Sequence, residues 1–199
     1  MYKKTHLIII SLLVSISVRA LSAYTSPSDE EIELTKKTFK FKNQWIHPKI
    51  IHEFLPLVSD ANIPLISAID IAAAADTNRF FGRVDQKDGN ISYKNEDGTV
   101  TSYEWKGLLK NGMHILLVKE SGDGTMISNS LVVFSFAKKS SIYETKSKYT
   151  QLLLQIERFV ALGDRARTKI EITGNSADID IKCEKSCESK KMKIFFDFE

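Results

Sequence analysis

From Arg79 to Phe136 the chain alternates short apolar runs with compact turn signals. The runs are Phe80–Val84, Ile91–Tyr93, Val100–Trp105, Met113–Lys119 and Leu131–Phe136, and Asp88-Gly89, Asp97-Gly98, Asn111-Gly112 and Gly122-Asp123-Gly124 divide them. Asp-Gly and Asn-Gly pairs tolerate the positive φ that tight hairpins need, so the pattern predicts consecutive antiparallel strands. No helix-length stretch separates the runs, which argues against an α/β fold.

The flanks extend this pattern. Thr38–Lys42 alternates Phe39 and Phe41 with Lys40 and Lys42, as a half-buried strand would. After Pro48 the apolar residues Ile50, Ile51, Phe54 and Leu55 fall at helical spacing and predict one short helix ending near Pro56. Pro64–Ala72 reads as a buried strand. Tyr149–Leu162 fits a helix through Leu152, Leu153, Ile156, Phe159 and Val160, and a strand through Leu152, Leu154 and Ile156. Its β neighbours tilt it to strand. Lys169–Ile172, Ala177–Lys182 and Met192–Phe198 predict two closing hairpins, the first turning at Gly174-Asn175. Tyr24–Glu33 is polar, with Ile32 and Leu34 two apart, and reads as a tether. A helix capped by Ser26 with Pro27 in its first turn is the other reading.

Together these elements predict a mainly β chain: an antiparallel β-sandwich-like single domain over 38–199, with one short helix near its N-terminus and a lead over 24–37. A closed membrane barrel is the topological rival. It needs strands of about 9–11 residues with a lipid-facing apolar set. The runs here are mostly shorter and carry charges such as Arg83 and Lys119.

The N-terminus carries a different signal. Lys3 and Lys4 precede an apolar stretch from Leu7 to Val18, and small residues follow at Ala20, Ser22 and Ala23. That order predicts a secretory signal peptide over 1–23, cleaved near Ala23. The apolar stretch falls short of the roughly 20 residues a membrane helix requires. Export to the periplasm or the extracellular space is the expectation, with no membrane span in the mature chain.

Cleavage also changes the charge. The whole chain has 28 Lys+Arg against 25 Asp+Glu. Lys3, Lys4 and Arg19 lie in the signal, which has no acids, so 28 less three leaves 25 of each sign. A neutral protein has no net field to draw it to nucleic acid, and none is expected as a partner.

Local chemistry is sparse. Setting Gly89 at position six of a calcium loop puts Val84 first, Gln86 third and Asn95 twelfth. Setting Gly98 there puts Tyr93 first, although Glu104 falls twelfth. Neither frame meets the ligand set. His47 and His52 stand five apart, about 140° around a helix, and no zinc pattern includes them or His114. There is no Gly-x-Ser-x-Gly elbow and no P-loop. Asp178 and Asp180 alternate with Ile179 and Ile181, as the wet face of a strand does. No cofactor or metal is expected.

The remaining candidates are for binding. Trp45 and Trp105 could stack a sugar or aromatic ligand, and Lys40 and Lys42 interleave with Phe39 and Phe41 as an anion patch would. Packing for the tryptophans, and lysines that guard a strand edge, are the competing readings. A second basic stretch, Lys182, Lys185, Lys190, Lys191 and Lys193, is open to both readings. The expected function is a non-catalytic binding or protein-interaction module with an unknown protein or glycan partner. An exported hydrolase with a dispersed active site is the alternative.

Cys183 and Cys187 complete the picture. In an oxidising compartment an even pair is expected to join. Three intervening residues let the Cα atoms come within ~4.4–6.8 Å, and so short a loop contributes roughly 2 kcal/mol before strain. Intact-mass measurement of native protein without reductant tests both expectations: a chain starting near Tyr24, with two hydrogens missing. A chain starting at Met1, or two free thiols, overturns the corresponding one.

Overall fold

The computed structural model describes residues 26–55, 66–76, 83–122, 127–142, 148–182 and 189–196. The expected signal peptide and cleavage site, most of the Phe80–Val84 run and both cysteines lie outside them.

The chain is mainly β and antiparallel. Five strands meander through the centre: β5 (Asn90–Lys94), β6 (Val100–Leu108), β7 (His114–Ser121), β8 (Ile127–Ile142) and β9 (Lys148–Asp164). The short β4 (Asp85–Lys87) extends one edge and β3 (Ala68–Asp70) the other, giving the order β3-β9-β8-β7-β6-β5-β4. At the β4–β5 turn, Asp88 (φ 51°) and Gly89 (φ 79°) both take the left-handed conformation, as a two-residue hairpin of this hand demands. The ambiguous segment is strand throughout. β8 and β9 reach 16 and 17 residues, much longer than their apolar runs suggested, and two register shifts keep them paired as they curve.

Successive residues of β7 point to opposite faces, yet His114, Ile115, Leu116, Leu117 and Val118 are all buried. Both faces of the sheet are therefore covered. Leu116, Val118, Val132 and Phe134 join one core, with Ile91 and Tyr103. Ile115, Leu117, Leu131 and Val133 join the other.

The second core is closed by a three-stranded sheet, β10 (Arg167–Thr173), β11 (Ser176–Lys182) and β12 (Lys190–Phe195), which delivers Ala177, Ile179, Ile181 and Ile194. The chain passes from one sheet to the other at a corner around Asp164. The Asp164 carboxylate accepts the Ile127 amide at 2.8 Å, and Arg165 N–H reaches Ile127 O at 3.0 Å. Buried Asn129, with its amide oxygen turned towards the corner, accepts from Arg165 and Ala166. This pair of stacked sheets is the expected sandwich.

The first core is closed by the N-terminal elements: α1 (Asp29–Thr38), the hairpin β1 (Lys40–Phe41) and β2 (Gln44–Trp45), and α2 (Pro48–His52). Several expectations change here. The stretch read as a tether is a helix, fixed by a capping box in which Ser28 Oγ accepts from Glu31 N and Glu31 returns the bond to Ser28 N. It buries Ile32 and Thr35 and leaves Leu34 exposed. Phe39 is no strand residue but the left-handed cap of that helix (φ 56°, ψ 31°), although its ring is fully buried as foreseen. A single helix was expected; α1, α2 and α3 (Ile71–Asp76) form instead. α3 takes the last two residues of the Pro64–Ala72 run, Ile71 and Ala72, because the Asp70 carboxylate caps the amides of Ala72 and Ala73.

Strand length does not argue against a barrel, since β8 and β9 exceed the span required. What tells against it is the burial of both faces of β7 and β8 by other parts of the chain. Among the described residues no helix is long and apolar enough to cross a membrane.

Gly107 sits at the register shift between β6 and β7 with φ 140°, and a Cβ there would meet Ile172 Cδ1 of β10 at 3.1 Å. It lets the three-stranded sheet settle on β6. Gly107→Ala is expected to cost about 1–3 kcal/mol through backbone strain and the displaced Ile172. Urea unfolding should show a lower midpoint at unchanged slope.

Candidate functional site

Three places gather the side chains that could carry function. The first contains the tryptophans. β2 brings Trp45 within 6.1 Å of Trp105 on β6, their planes 52° apart, and Lys40 Nζ lies 4.5 Å from the Trp45 ring centroid. The structure thus unites Lys40, Trp45 and Trp105, three of the four binding candidates. Lys42 lies apart, in the β1–β2 turn, with Nζ 5.4 Å from the Phe41 ring. Trp105 Nε1–H donates to His114 Nδ1 at 3.2 Å, and both indoles are partly buried against the first core. The Trp105 N–H and the Trp45 ring are engaged within the chain, so the cluster anchors the hairpin to the sheet.

The second place lies where the same core face becomes polar. His52, ending α2, puts Nδ1 at 2.5 Å from Glu120 Oε1 of β7 and 3.4 Å from Thr101 Oγ1 of β6. His47, capping the other end, accepts from Lys49 N through Nδ1 at 3.1 Å and packs against Tyr93 at 4.6 Å. The hydrogen bond to Glu120 raises the pKa of His52, with smaller contributions from Glu53 and Asp97. An imidazole oriented by a carboxylate is half of a catalytic relay. The relay requires the carboxylate and the hydroxyl on opposite ring nitrogens. Here Glu120 and Thr101 approach the same nitrogen, so Thr101 cannot pass its proton along such a path.

The third place is the outer face of the three-stranded sheet, a groove of about 480 Å³ lined by Lys169, Glu171, Asp178, Asp180, Lys191 and Lys193 among others. Register sets Lys169, Asp180 and Lys191 in one row and Glu171, Asp178 and Lys193 in the next. Lys169 pairs with Glu171 at 2.5 Å and Lys193 with Asp178 at 3.4 Å. Two residues further along β12, on the same face, the Phe195 side chain is 61% exposed. The alternation of Asp178 and Asp180 with isoleucines was legible as a wet strand face. The matching rows of lysines were not, because pairing register is absent from any single strand's pattern.

Among the described residues no group of three or more His, Cys, Asp or Glu side chains could hold a metal ion. Comparison with known protein families, curated proteins and solved structures finds no match.

The raised pKa of His52 fixes the sign of a pH effect. A base whose pKa is higher in the folded state contributes stability that is full below its unfolded value, 6.5, and lost as pH rises through the folded value. His52→Gln should therefore lose more stability at mildly acidic than at alkaline pH. The pair is part-exposed, so the difference should stay below about 1 kcal/mol. Parallel denaturation curves at the two pH values check it.

Proposed function

We propose that the chain is a non-catalytic binding or protein-interaction module that acts after export, in the periplasm or the extracellular space. Its contact surface is the outer face of β10-β11-β12. The groove there carries the reading: it is open, it presents two signs of charge in fixed rows, and Phe195 stands exposed beside it. Charged rows around an exposed aromatic favour recognition of a polar surface, protein or glycan, over enclosure of a small apolar ligand. The Cys183–Cys187 bond belongs to this proposal, since it would close the β11–β12 connection at one end of the same face. The alternative remains an exported hydrolase, for which His52 beside Glu120 is the supporting observation.

A photoreactive benzophenone at position 195 tests the proposal, because it inserts into C–H bonds of protein and glycan alike. Irradiation in native envelope extract should give one discrete adduct that K191E/K193E abolishes. These exposed changes should alter stability by no more than about 0.5 kcal/mol. An equal yield from a probe at Gln86, far along the chain on β4, argues against the surface. A hydrolytic activity that His52→Gln removes argues for the alternative.

A further inference from the structure

We propose that the N-terminal layer of α1, β1 and β2 is an acid-released cover: protonation of His114 detaches it from the central sheet while the opposite core stays closed.

His114 is the buried base of the first core. It is 0% exposed at the start of β7, in the junction where α1 turns into β1. The Phe39 ring, which caps α1, lies 5.1 Å from the imidazole, Phe136 of β8 lies 5.3 Å away and Trp105 of β6 6.2 Å away. The neutral imidazole has one acceptor nitrogen, and Trp105 N–H occupies it. Protonation turns that acceptor into a donor aimed at another donor. Nε2 is buried near the Lys36 carbonyl and makes no well-formed hydrogen bond among the described residues. A cation here would lose the Trp105 bond and most of its hydration together.

Among the described residues no charged side chain stands ready to receive it. Its neighbours from α1, β6 and β8 are aromatic rings, and α1 adds only the Lys36 carbonyl, which favours the charged form slightly. Burial outweighs that pull and holds the pKa at about 4, against the ordinary 6.5. The ionisable groups that shift His52, namely Glu120, Glu53 and Asp97, belong to the far end of this face. Glu120 is six residues along β7 from His114, about 20 Å.

The effect is confined to one side. The second core, between the central sheet and β10-β11-β12, is composed of Leu, Ile, Val, Ala and Phe with Met at its margin, and among the described residues the buried groups that titrate, His114 and Tyr103, both face the first core. At the far end of the first core His52 behaves in the opposite sense, holding Glu120 more firmly as pH falls. Acid thus acts on α1, β1 and β2 while α2 keeps its tie to the sheet. Trp45 leaves with the layer, and Trp105 gains access to water.

The sign follows from linkage. A base with a depressed folded pKa supports the closed state above 6.5 and loses that support as pH falls towards 4. The ratio of closed to open layer falls about tenfold per pH unit in that window, roughly 20-fold between neutral pH and about pH 5.

Hydrogen exchange on the purified protein, corrected for intrinsic rates, reads this directly. Amides of α1, β1 and β2 should lose protection by about that factor on acidification, with those of β11 unchanged. His114→Gln retains an acceptor for Trp105 but cannot titrate, and should abolish the acid response. Should that variant fold poorly, the imidazole resonances of the wild type give a second measurement, with His114 titrating near 4. Equal loss of protection on both sides of the sheet overturns the proposal, as does an unaltered acid response in His114→Gln or a His114 titration near 6.5.

Discussion

Strands β7 and β8 carry apolar side chains on both faces, and the rest of the fold answers that constraint. An antiparallel sheet commonly leaves one face to water. Here Leu116 and Val118 must be buried on one side while Ile115 and Leu117 are buried on the other. Each such side chain contributes roughly 1.5–3 kcal/mol when removed from water. One cover is a second sheet, reached through the corner at Asp164. The other is the N-terminal layer. The architecture is a sandwich with a further lid, because the sheet at its centre cannot stand alone.

The lid is attached by a small set of contacts, and Phe39 is central to them. Its backbone sits in a left-handed conformation that costs an ordinary residue about 1 kcal/mol or more. The ring repays this by filling the space among Tyr103, His114, Phe134 and Phe136. Tyr103 adds a buried hydroxyl bond to the Ile46 carbonyl at 2.6 Å. At the margin the attachments become polar: His52 to Glu120, Lys138 to Asp29 at 2.7 Å, and Thr150 N to Ser26 Oγ at 3.0 Å. An aromatic centre with a polar rim resembles an interface between subunits more than the interior of a sheet.

Much of the β architecture was legible, because hairpins are written locally. Asp88-Gly89 and Gly174-Asn175 mark their turns, and the alternation in 177–182 separates a wet face from a dry one. The lengths of β8 and β9 were hidden. Polar residues such as Lys138, Lys139 and Ser140 extend β8 through pairing alone, with no apolar pattern to announce them. α1 was concealed differently. The capping box Ser28-x-x-Glu31 was present, but Ile32 and Thr35 alone form its buried stripe, too thin to outweigh the two-residue spacing of Ile32 and Leu34. At the candidate sites, sequence could nominate Trp45, Trp105, Lys40 and Lys42, yet nothing local brings His52 to Glu120, 68 residues on.

The separation between these contacts implies an order of assembly. From β4 to β9, and again from β10 to β12, each strand pairs with its sequence neighbour. Those contacts close short loops and form early. The lid closes over far greater distances: Ile46 to Tyr103 spans 57 residues, Asp29 to Lys138 109, and Ser26 to Thr150 124. A ribosome delivers the lid first, yet its docking surface is complete only when β9 has emerged. At elongation rates of about 5–20 residues per second, Phe39, Phe41, Ile50 and Phe54 wait several seconds without a place to bury. During that interval the nascent chain offers a cluster of aromatic and branched residues to any chaperone that reads hydrophobic segments.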